Sequence, residues 1–477
     1  MEIKNDIDLK RIFKKIKIPI FGVSVYAFER LGPENFIGDY ELISLYDSKE
    51  TDFIKKDLPV FCLEKEIGRR IKPRNSTSII CHSRVQEFLH KKSGDKKPII
   101  LVYKTSIKME REAEKNNFEL AVAPFCFGKK FLENKVKFRR ILEGIGIKVP
   151  PGRIVPISFL ANRKLRDFKK EFGFPFVMQH PQKGGGKGTF FVKDQRSFNT
   201  AKQLLRREET EEFIITKLIK GPSPSMTGCV TRHGVLSTRP QYQICDEPLL
   251  NRNPGRGGLF CGHDWSLPFS DKVLKQAKEV VDKIGSYFKK EGYKGIFGLD
   301  FILDAKKEEL YVVECNPRLL ASFPALTMVQ VENGELPIIA FHLLEYTKVS
   351  YNINIDKINE QMWKKKEGSQ MYLHNPFNKK AIQKTELRAG IYKKDKKGKK
   401  INLKFIKDTY KFSDLKNENE YLFTDGIQKK GSIIKGSQRL RILNKSSVLG
   451  SDLRTVNKDT KEFLKAATLE IRKSFKV

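Results

Sequence analysis

Residues 298–318 contain four side chains that could act together: the carboxylates of Asp300 and Glu314, the amide of Asn316 and the guanidinium of Arg318. Asp300 interrupts an otherwise apolar run, and Glu314, Asn316 and Arg318 follow a second apolar run at alternate positions. Because a strand places residues i and i+2 on one face, Glu314 and Asn316 can point together, and a paired strand can bring Asp300 beside them. Carboxylate and amide oxygens are hard ligands that suit Mg²⁺ holding nucleotide phosphates. The segment therefore predicts a metal site on a β-hairpin; solvated acids on an exposed hairpin are the alternative.

The elements that would position these residues can be read from the same region. Phe297–Leu303 and Leu310–Val313 are predicted strands, and the charged residues 304–309 between them are typical of a turn. Residues 271–291 repeat apolar side chains at helical spacing, which predicts a helix that leads into the hairpin.

A glycine-rich stretch, KGGGKGT at residues 183–189, lies between the predicted strands Phe174–Met178 and Phe190–Val192. A Walker loop would need GxxxxGK[ST] before a helix, and here Lys187 is followed by Gly188. The stretch therefore predicts a hairpin loop whose backbone N–H groups could cover phosphates, since glycine has no Cβ to block close approach. A mobile surface hairpin is the alternative.

Length and composition limit the class of protein. A chain of 477 residues with 39% hydrophobic content suggests about three folded domains. It has no long apolar run, and its charged N-terminal stretch lacks the features of a secretory signal, so we expect no membrane association. The seven cysteines are dispersed and form no CxxC pair, which favours reduced thiols in the cytoplasm.

The formal net charge of +35 is compatible with nucleic acid, an anionic membrane or anionic substrates as partners. The chain is, however, rich in Lys, Ile and Asn, as AT-rich genomes encode, and base-edge readers favour Arg over Lys. Nucleic-acid binding is therefore not the favoured interpretation. The run Lys393–Lys400 predicts a charged hairpin tip whose lysines have no inward partner.

Along the chain, the patterns predict an α/β and α+β protein of three parts. Residues 1–125 alternate strands and helices, which argues for an open, mostly parallel sheet. Residues 126–350 contain the glycine loop and the hairpin. Residues 351–477 are basic and β-rich, and end in a helix.

The order of these motifs resembles the ATP-grasp superfamily, and the three-part layout is similar to that of biotin carboxylase and its relatives. The resemblance covers about residues 126–350, with an α/β pre-grasp domain before it and a small β-rich domain after it. It implies a mobile lid at about residues 176–231, which would close over ATP. It also implies site residues: Lys135 for the ATP phosphates; Gly184, Gly185, Gly186, Lys187 and Gly188 as the phosphate-covering loop; Lys217 and Ile219 as the hinge that meets adenine; Asp300, Glu314 and Asn316 as ligands of Mg²⁺ or Mn²⁺; and Arg318 for an acyl-phosphate or substrate anion.

The chain departs from the family pattern at three places. Gln179 stands where a lysine usually touches phosphate, and Thr216 stands where the hinge often begins with Glu. The segment GPSPS lacks the usual acid after the hinge glycine, and no biotinyl motif is present. Gln179 and Thr216 are still assigned to the nucleotide site by their positions.

The resemblance implies an ATP-dependent ligase that activates a carboxylate as an acyl-phosphate for attack by an amine or thiol. Its expected partners are small-molecule carboxylates and amines, and a homodimer is left open. Two alternatives remain: formation of carboxyphosphate, as in biotin carboxylase, and a basic nucleic-acid-binding protein with a regulatory nucleotide site.

Overall fold

The computed structural model describes residues 1–128, 132–183, 188–207, 210–251, 258–374, 381–397, 400–427, 429, 433–434 and 439–476. Within these ranges, no helix is both long enough and apolar enough to cross a membrane. The predicted loop residues Gly184, Gly185, Gly186 and Lys187 lie outside the described residues.

The N-terminal part is a five-stranded parallel sheet in the order β3-β2-β1-β4-β5. Its strands are β1 Ile20–Ser24, β2 Glu41–Ser44, β3 Val60–Cys62, β4 Ile99–Leu101 and β5 Glu119–Leu120. The helices of this part are α1 Asp6–Lys15, α2 Lys49–Asp57, α3 Leu63–Ile67, α4 Ser76–Ile80, α5 Ser83–Ser93, α6 Ile107–Lys115 and α7 Phe125–Phe127. The alternating α/β pattern expected from the sequence is confirmed.

A separate four-stranded antiparallel sheet follows, in the order β6-β9-β7-β8. Its elements, after helix α8 Lys135–Gly144, are β6 Gly152–Pro156, α9 Leu165–Phe172, β7 Phe176–Gln179, β8 Thr189–Val192, α10 Gln195–Arg207 and β9 Glu212–Lys217. A core of its own, with Phe168, Phe176 and Phe198 in ring contact or close packing, holds the two helices on the sheet. This unit is called the small sheet below.

The small sheet and the predicted lid have different boundaries. The small sheet begins at Gly152, earlier than the expected residue 176, because β6 pairs with β9. It ends at Lys217, because the next strand, Pro224–Thr231, pairs with the hairpin strand Gly295–Asp304 instead. A lid with these pairings would consist of residues 152–217.

The remaining strands form one large, mostly antiparallel sheet. They are β10 Pro224–Thr231, β11 Gly234–Ser237, β12 Gln241–Cys245, β13 Phe260–Asp264, β14 Gly295–Asp304, β15 Glu309–Asn316, β16 Ser369–His374, β18 Gly390–Lys397, β19 Lys400–Lys407, β20 Glu420–Thr424 and β22 Arg439–Asn444. Their order is β15-β14-β10-β12-β13-β16-β22-β20-β18-β19, with β11 beside β10. Strands β17 Ala381–Gln383, β21 Ile433–Ile434 and β23 Phe475–Lys476 form a fourth, three-stranded sheet. The helices are α11 Asp271–Lys290, α12 Ala325–Glu332, α13 Ile338–Leu344, α14 Ile355–Met362 and α15 Lys458–Lys473.

The C-terminal strands therefore extend the sheet that carries the hairpin. The two parts join where β13 pairs with β16, as in the register Gly262–Met371. Glycine is required at this seam, because a Cβ on Gly262 would lie 2.1 Å from the carbonyl oxygen of Gln370. The β-rich character predicted for residues 351–477 is present; β16, β18, β19, β20 and β22 extend the large sheet, whereas β17, β21 and β23 form a separate one.

The described part of the basic run lies at the end of β18, through Lys397, and at the start of β19, at Lys400, which is opposite Lys397. The expectation that its lysines lack inward partners is wrong for Lys394, whose side chain is 13% exposed and pairs with Asp459 of α15. Helix α15 packs on β19, the strand beside β18, and this packing brings the acidic start of the helix near Lys394 on β18.

Arg441 on β22 ties the C-terminal strands to the loop after the hairpin. Its guanidinium forms an ion pair with Asp425 at 2.8 Å, and both side chains are almost fully buried, with 3% and 2% exposed. It also donates hydrogen bonds to the carbonyl oxygen of Phe323 and to Gln370, at 3.0 and 3.1 Å. The segment that leaves the hairpin is thus held from the C-terminal side.

We expect Arg441→Met to lower the free energy of unfolding by about 3–5 kcal/mol, because it leaves the Asp425 carboxylate buried without its cation. Arg388→Met is the control: this arginine pairs with Asp408 at the surface, with 53% of its side chain exposed. Its loss should cost about 0–1 kcal/mol. Denaturant unfolding of both variants measures the difference, and equal losses would contradict the assigned role of Arg441.

Candidate functional site

The predicted hairpin is formed by β14 and β15, and its register brings the three predicted ligands together. Asp300 lies opposite Glu314, and Gly298 lies opposite Asn316. A register shift follows Asp300, at the step to Phe301. A Cβ at Gly298 would lie 2.2 Å from the side chain of Leu320, so glycine lets the chain after the hairpin fold back against it.

Hydrogen bonds fix the orientation of the Asp300 carboxylate. Its Oδ1 accepts a bond of 2.6 Å from Gln243 on β12, and its Oδ2 accepts one of 2.9 Å from the Asn316 amide. The Asn316 Oδ1 in turn accepts a bond of 2.5 Å from Arg318. One continuous polar chain therefore connects β12, β14 and β15.

The electrostatic environment of Asp300 is unfavourable for a bare carboxylate. Burial and the neighbouring Glu314 carboxylate raise its pKa to about 7, although Arg318, Gln243 and Asn316 oppose the shift. A cation between the two acids would remove this repulsion and favour the ionised form.

Lys135 supplies a positive charge at the hairpin. The Asn134 side chain caps α8 by accepting bonds of 3.1 Å from the Val136 and Lys137 amides, so Lys135 is the first helical residue. Its side chain, 3% exposed, pairs with the Glu314 Oε2 at 3.0 Å. The Lys135 amine also donates to the carbonyl oxygen of Lys183, at 3.0 Å, and so reaches the start of the glycine loop.

Arg318 lies where the N-terminal part meets the hairpin. Its Nε donates to Glu133 at 3.0 Å, and its Nη1 donates to the Tyr103 hydroxyl. The guanidinium carbon also lies 4.6 Å from the centre of the Tyr103 ring. Two anchors outside the hairpin therefore hold this cation in place.

The small sheet and the large sheet enclose a cavity of about 380 Å³ above the hairpin. It is called the main cavity below. The sequence-predicted residues that line it are Gln179, Thr216, Lys217, Ile219, Asp300, Glu314, Asn316 and Arg318. Gly188 packs closely against Lys183, since a Cβ there would lie 2.4 Å from the Lys183 Cβ. The structure thus brings eight of the predicted residues to one cavity, whereas Lys135 does not line it and is connected to it through Glu314.

Gln243, Tyr103, Glu133 and His263 also contribute to this region, and sequence analysis did not find them. Gln243 and His263 lie on β12 and β13 and line the main cavity. Burial lowers the pKa of His263 to about 3, and its Nδ1 lies 2.8 Å from the Gln370 amide nitrogen. In the sequence, Gln243 and His263 appear only as polar residues inside short strands, a pattern that has no unique meaning.

The residues at the hairpin suit a magnesium ion by their chemistry. Two carboxylates and one amide provide hard oxygen ligands on adjacent strands, and the raised pKa of Asp300 indicates that a cation would be favourable there. Across the described part of the chain, no group of three or more His, Cys, Asp or Glu residues is placed to hold a metal. A metal here would therefore need Asn316 or ligands from a bound nucleotide.

The family model described as the ATP-grasp domain matches residues 132–322. Residues 132–322 form an ATP-grasp domain. The match includes α8, the small sheet and the β14–β15 hairpin, which are the elements that surround the main cavity.

Two curated relatives with low identity match part of the chain. A butirosin acyl-carrier protein–L-glutamate ligase of Niallia circulans is 22% identical over 199 residues, which are 42% of this chain and 46% of the relative. A D-alanine–D-alanine ligase of Fusobacterium nucleatum is 26% identical over 185 residues, 38% of this chain and 55% of the relative. The chain thus spans about half the length of these relatives.

The fold of the whole chain is similar to that of a biotin carboxylase. The structure of the Campylobacter jejuni enzyme in complex with β-γ-ATP aligns over 91% of this chain and 89% of its own, with a TM-score of 0.57. The sequence identity is 12%, so the likeness concerns the fold alone. It confirms the fold class expected from the sequence, with the ATP-grasp domain between an α/β part and a β-rich C-terminal part.

We expect Lys135→Gln to weaken binding of a magnesium-bound, non-hydrolysable ATP analogue by about tenfold or more, because it removes a desolvated positive charge beside the hairpin. Lys137→Gln, an exposed position on the same helix, is the control and should bind like wild type. Calorimetric titration of both variants makes the comparison. Equal affinities would show that Lys135 has no part in nucleotide binding by the ATP-grasp domain.

Proposed function

We propose that this chain is an ATP-dependent ligase that activates a carboxylate as an acyl-phosphate, which an amine or a thiol then attacks. The observation that supports this most is the Asp300–Glu314 carboxylate pair, with Lys135 and Arg318 beside it, at the wall of one cavity in an ATP-grasp domain. The two relatives that are named ligases support the same reaction class.

In this proposal, ATP lies in the main cavity. Its adenine meets the hinge strand at Lys217 and Ile219, where β9 leaves the small sheet, and its phosphates extend toward the hairpin. Asp300, Glu314 and Asn316 would hold Mg²⁺, or Mn²⁺, which when bound neutralises phosphate charge and orients the phosphoryl group.

Lys135 and Arg318 act at the phosphoryl group that is transferred. Lys135 already meets Glu314 and the Lys183 carbonyl, so its amine can exchange these partners for phosphate oxygens with little movement. The substrate carboxylate attacks the γ-phosphorus, ADP leaves, and the acyl-phosphate forms. Arg318, held by Glu133 and Tyr103, stabilises the negative charge of that intermediate without having to reorganise.

Gln179 and Thr216 distinguish this site from the usual family pattern. Gln179 reaches Thr189 across the β7–β8 pair at 3.4 Å, so a neutral amide stands where a lysine is common. With one positive charge fewer on the small sheet, more of the phosphate charge must be balanced by Lys135, the metal and Arg318.

A second candidate function is the formation of carboxyphosphate from bicarbonate. The fold similarity to biotin carboxylase over most of both chains favours it. Release of ADP that depends on bicarbonate, with no other acid present, would identify this reaction.

The deciding experiment is a screen of ADP release with pools of carboxylic acids, each tested with pools of amines and thiols, followed by mass spectrometry of the products. A product in which an acid and a nucleophile are joined supports the ligase. ADP release with bicarbonate alone supports the second candidate. Absence of magnesium-dependent ADP release under all of these conditions contradicts both.

We expect Glu314→Gln to reduce ATP turnover by orders of magnitude, because it keeps the shape of the side chain but removes one charge from the metal site. Asp300→Asn should act in the same direction. Glu309→Gln is the matched control, since this acid lies on the same strand and pairs with Lys148 at the surface.

Three measurements separate the possible causes of a loss of turnover. They are ATP turnover over a magnesium titration, nucleotide binding, and thermal melting. Loss of turnover with an unchanged melting temperature and retained nucleotide binding supports the metal role. Wild-type turnover and magnesium dependence in Glu314→Gln would place the metal site elsewhere.

We further propose that the small sheet closes over bound ATP as a lid, which would exclude water from phosphoryl transfer. Hydrogen exchange at the ends of β7 and β8 beside the loop, Gln179 and Thr189, should slow when a non-hydrolysable ATP analogue is added. Strand β20, far from the main cavity, provides the internal reference. Unchanged exchange at the β7–β8 ends would contradict closure.

A further inference from the structure

A second cavity, of about 410 Å³, lies beside the main cavity. Its walls come from the ends of two parallel strands, at Val25 after β1 and Tyr103 after β4, and from the segment that leaves the hairpin, at Leu320 and Phe323. It is called the second cavity below. Its size is in the range of sites for small metabolites.

The two cavities adjoin each other. Tyr103, Leu320 and Ala321 line both of them. Arg318, which lines the main cavity, donates a hydrogen bond to the Tyr103 hydroxyl at this shared wall. A molecule in the second cavity would therefore lie next to the place where the proposed acyl-phosphate is held.

The charged side chains around the second cavity are mostly cationic. Arg30, Arg74, Arg441 and Lys104 line it, whereas Glu29 is the single acid among its described lining residues. The Glu29 carboxylate accepts a hydrogen bond from the Val25 amide, at 3.2 Å, and Arg441 forms an ion pair with Asp425. Among the arginines that line this cavity, Arg30 and Arg74 form no ion pair within the described part of the chain.

Arg30 is buried, with 5% of its surface exposed, yet it forms no ion pair with any acid that the structure describes. One Nη donates to the Glu29 carbonyl oxygen at 2.6 Å, but the buried Nε has no hydrogen-bond partner in the described chain. Burial lowers the pKa of Arg30, although the charges of Glu29 and Asp425 oppose the shift. A buried cation that no acid contacts directly is costly, and a bound anion would compensate it.

Arg74, unlike Arg30, is exposed to solvent. Its guanidinium carbon lies 4.9 Å from the centre of the Tyr26 ring and 5.9 Å from that of Tyr46, so aromatic faces hold it at the cavity. No carboxylate in the described ranges pairs with it. Aromatic faces fix a guanidinium in place and leave its N–H groups available for a planar or tetrahedral oxyanion.

We propose that the second cavity binds the acid or the nucleophile of the ligase reaction, and that this substrate carries an oxyanion, a phosphate or a carboxylate, apart from its reacting group. Arg30 and Arg74 bind the oxyanion, and the reacting group points toward Tyr103 and Arg318. The inference rests on the proposed ligase function and adds the class of substrate to it.

The first test measures binding of inorganic phosphate and acetate, as minimal probes of the two oxyanions, to the full-length protein loaded with Mg²⁺ and a non-hydrolysable ATP analogue. The nucleotide occupies the main cavity, so the probes report on the remaining sites. Calorimetry at constant ionic strength should show binding that weakens by about tenfold in Arg74→Gln. Arg84→Gln, an exposed arginine on α5 of the same N-terminal part, is the control.

Arg30→Gln should weaken binding in the same way. Because Arg30 is buried, this substitution could prevent folding, and Arg74→Gln then still tests the proposal. A preference for phosphate over acetate, or the reverse, identifies which oxyanion the substrate carries. Absence of binding by both probes, or equal affinities in Arg74→Gln and Arg84→Gln, would overturn the proposal.

The second test uses the productive substrates from the ADP-release screen. At least one should carry an oxyanion apart from its reacting group, and Arg74→Gln should raise the KM for that substrate about tenfold while kcat and the KM for ATP stay near wild type. Productive substrates without such a group would overturn this inference and leave the ligase function standing. Failure of the ligase function itself would appear instead as the absence of magnesium-dependent turnover with every substrate.

Discussion

The repulsion between two neighbouring carboxylates is the main electrostatic constraint at the hairpin. Asp300 and Glu314 face each other across a strand pair, and burial of the site makes their charges expensive. A stable fold tolerates this arrangement only because surrounding groups compensate it: Lys135 pairs with one acid, and the amides of Gln243 and Asn316 bind the other. Under the proposed function, a divalent cation bound with an anionic nucleotide would relieve the remaining repulsion.

Each compensating group comes from a different part of the chain, so the site depends on how these parts pack. Lys135 begins a helix that precedes the small sheet, and Gln243 belongs to the central strands of the large sheet. Arg318 is held by Tyr103 of the N-terminal part and by Glu133. Further along, Arg441 fixes the loop after the hairpin from the C-terminal strands. The three parts of the chain therefore act as one support for the hairpin and for both cavities.

Much of the candidate site could be predicted from the sequence because its strongest signals are local. An acid inside an apolar strand and a Glu-x-Asn-x-Arg alternation specify a hairpin face, and the register of the structure agrees with it. The limits of the small sheet could not be predicted, because β6 and β9 meet across many intervening residues. The inward partner of Lys394 was missed for the same reason, since Asp459 lies on a distant helix.

The sequence by itself determined the chemistry at the hairpin: which side chains are acids, and which of them share a strand face. These features follow from strand periodicity, which acts over a few residues. Only the tertiary structure decided that Gln243 would orient Asp300, that Tyr103 would hold Arg318, and that Arg30 and Arg74 would line a second cavity beside the first. Contacts of this kind join residues far apart in the chain, and they arise from the packing of sheets that no local pattern encodes.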